Sequence, residues 1–138
     1  VISDRPLEVP GMHVENVTWN SATEAQDLAA IDIGIMPIPD DEWSRGKCGF
    51  KGLQYMGMGK AVVLSPVGVN RTIVREGENG LLAATDAEWK KKLTHLIADA
   101  ELRQRLGQAA RRTVEERYST IAWRDHYLAL FNKMIRRT

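Results

Sequence analysis

Two short apolar runs, Asp32-Ile33-Gly34-Ile35-Met36 and Ala61-Val62-Val63-Leu64-Ser65, limit this chain to few architectures. Each is closed by a turn residue, and the segment between them carries helical rather than alternating periodicity. Near-continuous apolar strands joined by helices are the pattern of a buried parallel sheet, because parallel strands need a crossover and the crossover helices cover the faces. The same rhythm runs through the chain. Val14 to Trp19 reads as a short strand, and Ser21 with Glu24 three residues on reads as a capping box opening a helix through Ala30. Phe50 to Met58 is a helix ended by Gly59, and Leu81 to Ala83 is a strand after the Asn79-Gly80 turn.

Between these elements the punctuation is strong. Pro37 and Pro39 deny both helix and ladder hydrogen bonding and predict an irregular loop from Pro37 to about Gly49. Pro66, Gly68 and Asn70 predict a tight turn into a brief helix, Arg71 to Glu76, stopped by Gly77. The tail is helical. Asp86 is the expected cap of a helix with Trp89, Leu93, Leu96 and Ile97 on one face, and Leu102, Leu106, Ala110 and Val114 line the next. Its Arg103, Arg105, Arg111 and Arg112 fall on the wet side. Ser119 caps a last helix, 120–137, with a stripe of Trp123, Tyr127, Leu130, Phe131 and Met134. The fold class is α/β, a parallel sheet flanked by helices with a helical tail, in one domain over 1–138.

Composition closes off several functions. Lys+Arg 19 against Asp+Glu 18 leaves a net charge of +1, so no global field draws the chain to nucleic acid. Cys48 is the only cysteine, which excludes an internal disulfide and a thiolate zinc site and suits a reducing compartment. No apolar run approaches the ~18 residues that span a bilayer, and no leader stands at the start. The expectation is a cytoplasmic protein. Lys90-Lys91-Lys92, Arg111-Arg112 and Arg136-Arg137 leave room for peripheral attachment at the inner face of a membrane. His13, His95 and His126 are scattered, and none is a catalytic candidate.

In an open parallel sheet, ligands bind beyond the carboxyl ends of the strands, where helix N-termini present unpaired N–H groups. Two loops qualify. Trp43 to Lys51 joins Gly46 and Gly49, which let backbone approach a ligand, to Lys47 and Lys51, which can meet phosphate, with Cys48 and Phe50 between them. Gly68, Val69 and Asn70 form a second glycine turn into a helix. Ordinary turn requirements and solvated surface charge are the bland readings of the same residues.

Asp32 to Pro37, Lys51-Gly52-Leu53-Gln54-Tyr55-Met56-Gly57-Met58-Gly59-Lys60-Ala61-Val62-Val63, Gly68-Val69-Asn70 and Glu76-Gly77-Glu78-Asn79-Gly80-Leu81-Leu82 resemble, in order and spacing, the family-four (group 1) retaining glycosyltransferases. Glu88-Trp89, Leu102 to Leu106 and Val114 to Tyr118 resemble that family's closing helices. The resemblance implies the GT-B architecture of two facing Rossmann-like domains, with this chain as the C-terminal, donor-binding one. Val1 to Asp4 resembles its second strand. On that reading the first strand-helix unit, the usual phosphate-clamping Arg and Lys, and the acceptor domain lie upstream of Val1, and the chain alone is inactive.

The activity implied is transfer of a hexose from a nucleotide diphosphate sugar to an acceptor hydroxyl with retention, with no metal and no cofactor. The donor-binding residues implied are Gly46, Lys47, Cys48, Gly49, Phe50, Lys51, Gln54, Gly68, Val69 and Asn70, with Trp19 near the nucleotide base, where its ring would stack or, alternatively, pack in a core. Many members carry two glutamates eight positions apart. Here Gln54 and Gly46 stand at those places, and Thr72 stands where many have a further glutamate. Gln54 keeps hydrogen-bonding capacity for ribose. The implied partners are a nucleotide-sugar donor, a glycan, lipid-linked or small-molecule acceptor, the N-terminal domain, and a second copy through the tail helix. A non-catalytic nucleotide- or phosphate-binding module and a sugar-nucleotide epimerase are the alternatives.

Overall fold

In the computed structural model, which describes residues 1–135, the chain divides after Ile31 into two units. The first holds two parallel strands, β1 (Ile2–Ser3) and β2 (Val17–Thr18), with Ile2 opposite Val17 and Ser3 opposite Thr18. The ladder is far shorter than the Val14 to Trp19 strand read from the sequence, because its partner strand offers only two residues. Asn16 shapes the connection between the strands. Its Oδ1 accepts from Leu7 N–H at 2.8 Å and its Nδ2 donates to Leu7 O at 3.0 Å, a side chain standing in for a ladder rung.

The helix α1 (Glu24–Ala29) follows, but not through the expected Ser21–Glu24 box. Ser21 lies in a turn tightened by Asn20, whose Oδ1 accepts from Ala22 N–H at 2.9 Å. Thr23 takes the N-cap position without a side-chain cap bond, and its hydroxyl donates instead to Asp27 Oδ2 at 2.8 Å.

The second unit is built on a three-stranded parallel sheet, β3 (Ile33–Met36), β4 (Ala61–Leu64) and β5 (Leu81–Leu82), in that spatial order. Its helices are α2 (Glu42–Arg45), α3 (Phe50–Gly57), α4 (Asn70–Ile73), α5 (Asp86–Ala98), α6 (Ala100–Arg117) and α7 (Thr120–Ile135). Successive side chains on a strand point to opposite faces, and the central β4 shows it. Val62 and Leu64 pack with Met56 of α3, Ile73, Val74 and Ala110 of α6, whereas Ala61 and Val63 pack with Leu81, Ala83, Leu96 of α5 and Leu106 of α6. All four β4 residues are buried, each valine or leucine contributing ~1.5–3 kcal/mol.

Several sequence expectations need correction. β3 is an edge of this sheet, and Ile35 is 46% exposed rather than buried. The proline loop is not wholly irregular: α2 forms one turn inside it. α4 ends at Ile73, short of Glu76, because Asn79 Oδ1 takes Arg75 N–H at 2.7 Å and Val74 turns extended into the core. α5 is capped by Thr85, not Asp86: Thr85 Oγ1 accepts from Glu88 N–H and Glu88 Oε2 accepts from Thr85 N–H. Ile97, one step or ~100° round from buried Leu96, is 69% exposed.

The expected stripe of α6 is observed, with Leu106 and Ala110 buried and Leu102 and Val114 packed beside them. Ser119 caps α7 as expected, accepting from Ala122 N–H at 3.1 Å. No residue of α7 is buried, and its large apolar side chains are 45% to 79% exposed. Arg136 and Arg137 lie outside the described residues.

Candidate functional site

Because the sheet is parallel, the loop after β3 and the turn after β4 emerge at the same, carboxyl, end. They are joined directly. Ser65 N–H donates to Met36 O at 3.1 Å, and Ser65 Oγ accepts from Ile38 N–H at 3.0 Å. The tie seats the start of the proline loop on the end of β4.

From there α2 is anchored on three sides. Asp41 caps it, accepting from Ser44 N–H at 2.6 Å, and that bond holds the Asp41 carboxyl below its ordinary value. Arg45 Nε donates to Asp40 Oδ1 at 2.7 Å, which lowers the Asp40 carboxyl and raises the guanidinium. Ser44 is buried, while Trp43 beside it stands 81% exposed. The Arg45 backbone then lies against Gly68, where a Cβ would come 2.6 Å from Arg45 O and the backbone already sits at φ +54°. Glycine is required there by both criteria.

The loop next delivers α3. Gly49 occupies the N-cap at φ +70° and has no side chain to cap the helix. A Cβ on it would stand 2.6 Å from Ile73 Cδ1, 3.0 Å from Asn70 Oδ1 and 3.1 Å from Val69 Cγ1, so the second turn packs directly beneath the first. The first intrahelical bond is Leu53 N–H to Gly49 O at 3.1 Å. The amides of Phe50, Lys51 and Gly52 precede it and have no partner within the helix. Those N–H groups and the helix dipole make this end attractive to anionic or hydroxyl-bearing ligands, by ~0.3–1 kcal/mol for a charge at an exposed terminus.

The residues named from sequence thus divide. Gly46 to Lys51 and Gly68 to Asn70 come together at one end of the sheet. Lys47, Cys48, Phe50 and Lys51 are exposed around the α3 terminus, and Gln54 is half-buried one turn along. Gly46 has ordinary backbone, and a Cβ there would meet nothing closer than Trp43 O at 3.5 Å, so sterics do not demand glycine. Asn70 is corrected: its side chain is 1% exposed and cannot face a ligand in this conformation. Trp19 belongs to the first unit; it is 47% exposed, not packed in a core, and its Nε1 donates to Glu24 Oε1 at 3.0 Å.

Sequence reasoning missed the roles of Asp41, Ser44, Arg45 and Ser65, which shape the loop through the contacts above. The Asp-x-x-Ser spacing from Asp41 to Ser44 was the available signal for a cap. Among the described residues, no group of three or more His, Cys, Asp and Glu is placed to hold a metal ion, and no helix is long and apolar enough to cross a membrane.

The arrangement has counterparts. The C-terminal domain of the group 1 glycosyl transferase LpcC from Francisella tularensis superposes with a TM-score of 0.63 at 24% identity, over 75% of this chain and 53% of that one. Sucrose-phosphate synthase from Thermosynechococcus elongatus gives a TM-score of 0.64 at 19% identity, over 81% and 27%. HepE from Anabaena, in complex with UDP, gives 0.61 at 19% identity, over 78% and 29%. At these identities the likeness is one of fold: a C-terminal GT-B domain. The chain spans about half the length of the first and less than a third of the other two. No curated protein matches its sequence. The sequence profile of the glycosyl transferases of group 1 matches residues 6–99, more than half of the chain, and the chain belongs to that family.

Proposed function

We propose that this chain is the donor-binding part of an enzyme that moves a hexose from a nucleotide diphosphate sugar to an acceptor hydroxyl with retention at the anomeric carbon, without a metal ion. The observation that carries the reading is the N-terminus of α3, capped by Gly49 without a side chain and set at the carboxyl end of the parallel sheet between Lys47 and Lys51. As the sugar leaves, negative charge builds on the diphosphate. Backbone amides and lysines that are already in place stabilise that charge without reorganisation. The Gly46 and Lys47 amides are spent on α2 carbonyls, so the amides from Cys48 to Phe50 meet the sugar, Lys47 and Lys51 supply positive potential, and Gln54 takes the ribose hydroxyls.

Family membership and the UDP bound to HepE support a nucleoside diphosphate as the ligand class. Trp19 offers a half-exposed ring held by Glu24, a surface suited to stacking on a base. A non-catalytic binding module is the second reading, favoured by Gly46 and Gln54 at the places where many relatives have glutamates.

The test is calorimetric titration of the full-length protein with nucleoside diphosphates and nucleotide sugars, followed by acceptor-dependent turnover and determination of the product's anomeric configuration. The proposal predicts donor binding, transfer that survives chelators, and retention. Binding without transfer points to the module, conversion of donor with no acceptor points to an epimerase, and no binding of any nucleotide refutes donor recognition.

A further inference from the structure

We infer that Asn70 is a positioning residue: its buried carboxamide braces Gly49 in the left-handed conformation that aims the Phe50, Lys51 and Gly52 amides out of α3. The inference rests on the donor-binding reading only for what those amides meet, not for what holds them.

The chain contains two buried asparagines in this unit, and they contrast. Asn79 is fully used: Nδ2 donates to Ile73 O at 3.1 Å and Thr113 Oγ1 at 3.0 Å, while Oδ1 accepts from Arg75 N–H at 2.7 Å. Asn70 is half used. Its Nδ2 donates to Ser65 O at 3.0 Å, but Oδ1 is the one buried side-chain polar atom among the described residues without a partner. A buried acceptor left without a partner is rare and calls for an explanation that Asn79 does not need.

The unpaired oxygen lies beside Gly49, 3.0 Å from where a Cβ on that residue would stand. Gly49 has no side chain of its own to hold it at positive φ, and glycine adopts positive and negative φ about equally. Asn70 is held from the other side by Ser65, the residue that also anchors Ile38. One carboxamide is therefore bonded to the end of β4 and packs beside the N-cap of α3. Ile73 and Val69 supply apolar contact at the same point.

The experiment compares Asn70→Ala with Asn79→Ala in the full-length protein, reading amide hydrogen exchange at Gly49 to Gly52, the melting temperature, and affinity for UDP-, GDP- and ADP-hexoses. Asn70→Leu, which fills the volume without the Ser65 bond, is the second variant should the alanine form fold poorly. Asn70→Ala is expected to speed exchange at these four amides about tenfold or more and to weaken donor binding about tenfold, with a melting temperature within about 5 °C of wild type. Asn79→Ala is expected to lower the melting temperature more and leave donor affinity of the folded protein near wild type. Unchanged exchange at Gly49 to Gly52 in both Asn70 variants overturns the brace. So does a loss of binding that merely tracks melting. If exchange rises as expected but neither wild type nor variant binds any nucleotide sugar, the brace stands and the donor reading falls.

Discussion

Gly49→Ala, with Gly46→Ala as its control, probes the core of the site with two glycines only three positions apart in sequence. At Gly49 the backbone sits at φ +70°, which costs an L-residue ~1–2 kcal/mol. The new methyl would also stand 2.6 Å from Ile73 Cδ1 and 3.0 Å from Asn70 Oδ1, and overpacking of this kind adds ~1–3 kcal/mol. The sum, ~2–5 kcal/mol, is a large part of the ~5–15 kcal/mol that holds a domain together. For a chain of this size it corresponds to a melting temperature lower by roughly 6–25 °C. At Gly46 the backbone has φ −78° and the nearest atom to a Cβ is 3.5 Å away, so Gly46→Ala is expected within ~0.5 kcal/mol of wild type. Thermal and urea denaturation followed by circular dichroism measure both. A Gly49→Ala protein as stable as wild type, or a Gly46→Ala protein equally damaged, would refute the reasoning.

Lys51→Ala in the full-length protein is expected to weaken donor binding about three- to thirtyfold, ~0.7–2 kcal/mol for one lysine–phosphate contact, with the melting temperature unchanged; unchanged donor affinity and turnover would remove Lys51 from the site. The carboxyls of Asp41 and Glu88 are depressed by the N–H groups they accept from, so their stabilisation is complete above the ordinary values of 3.8 and 4.5 and is lost as the pH falls through and below them. Amide protection factors, corrected for the intrinsic exchange rate at each pH, should therefore fall in acid at Ser44 and at Ala84 and Thr85, and Asp41→Asn should blunt the change at Ser44 alone. Light scattering across a concentration series tests whether the exposed apolar face of α7 associates with a second copy; a monomer throughout excludes it.

Which parts were legible in the sequence follows from how much of each residue's environment lies nearby in the chain. β4 was plain because a strand buried on both faces must be apolar at every position, and Ala61 to Leu64 are. Gly59, Gly68 and Gly77 marked real left-handed turns. Cap residues were less certain: Thr85 and Asp86 are both good caps, and the choice depends on which one Glu88 reaches. α2 was hidden because its prolines precede the turn rather than prevent it. Ile35 misled, since an edge strand can carry the same residues as a central one.

The site divided in the same way. That both loops leave the carboxyl end of the sheet was legible because the strands before them read as parallel. That Asn70 is buried beneath Gly49 and tied to Ser65 depends on contacts between the loop after β3 and the turn after β4, which no local pattern carries. Gly46 was legible only as an absent side chain. Its open surroundings, with ordinary φ and room for a Cβ, emerge from the structure.

The most direct test of the central claim is a titration of the isotopically labelled full-length protein with a nucleoside diphosphate and its sugar conjugate, followed through backbone amide resonances. The account predicts the largest shifts at Phe50, Lys51 and Gly52, with smaller ones through Gly68, and little change along α6. Saturable shifts confined to other surfaces, with the α3 terminus silent, would contradict it.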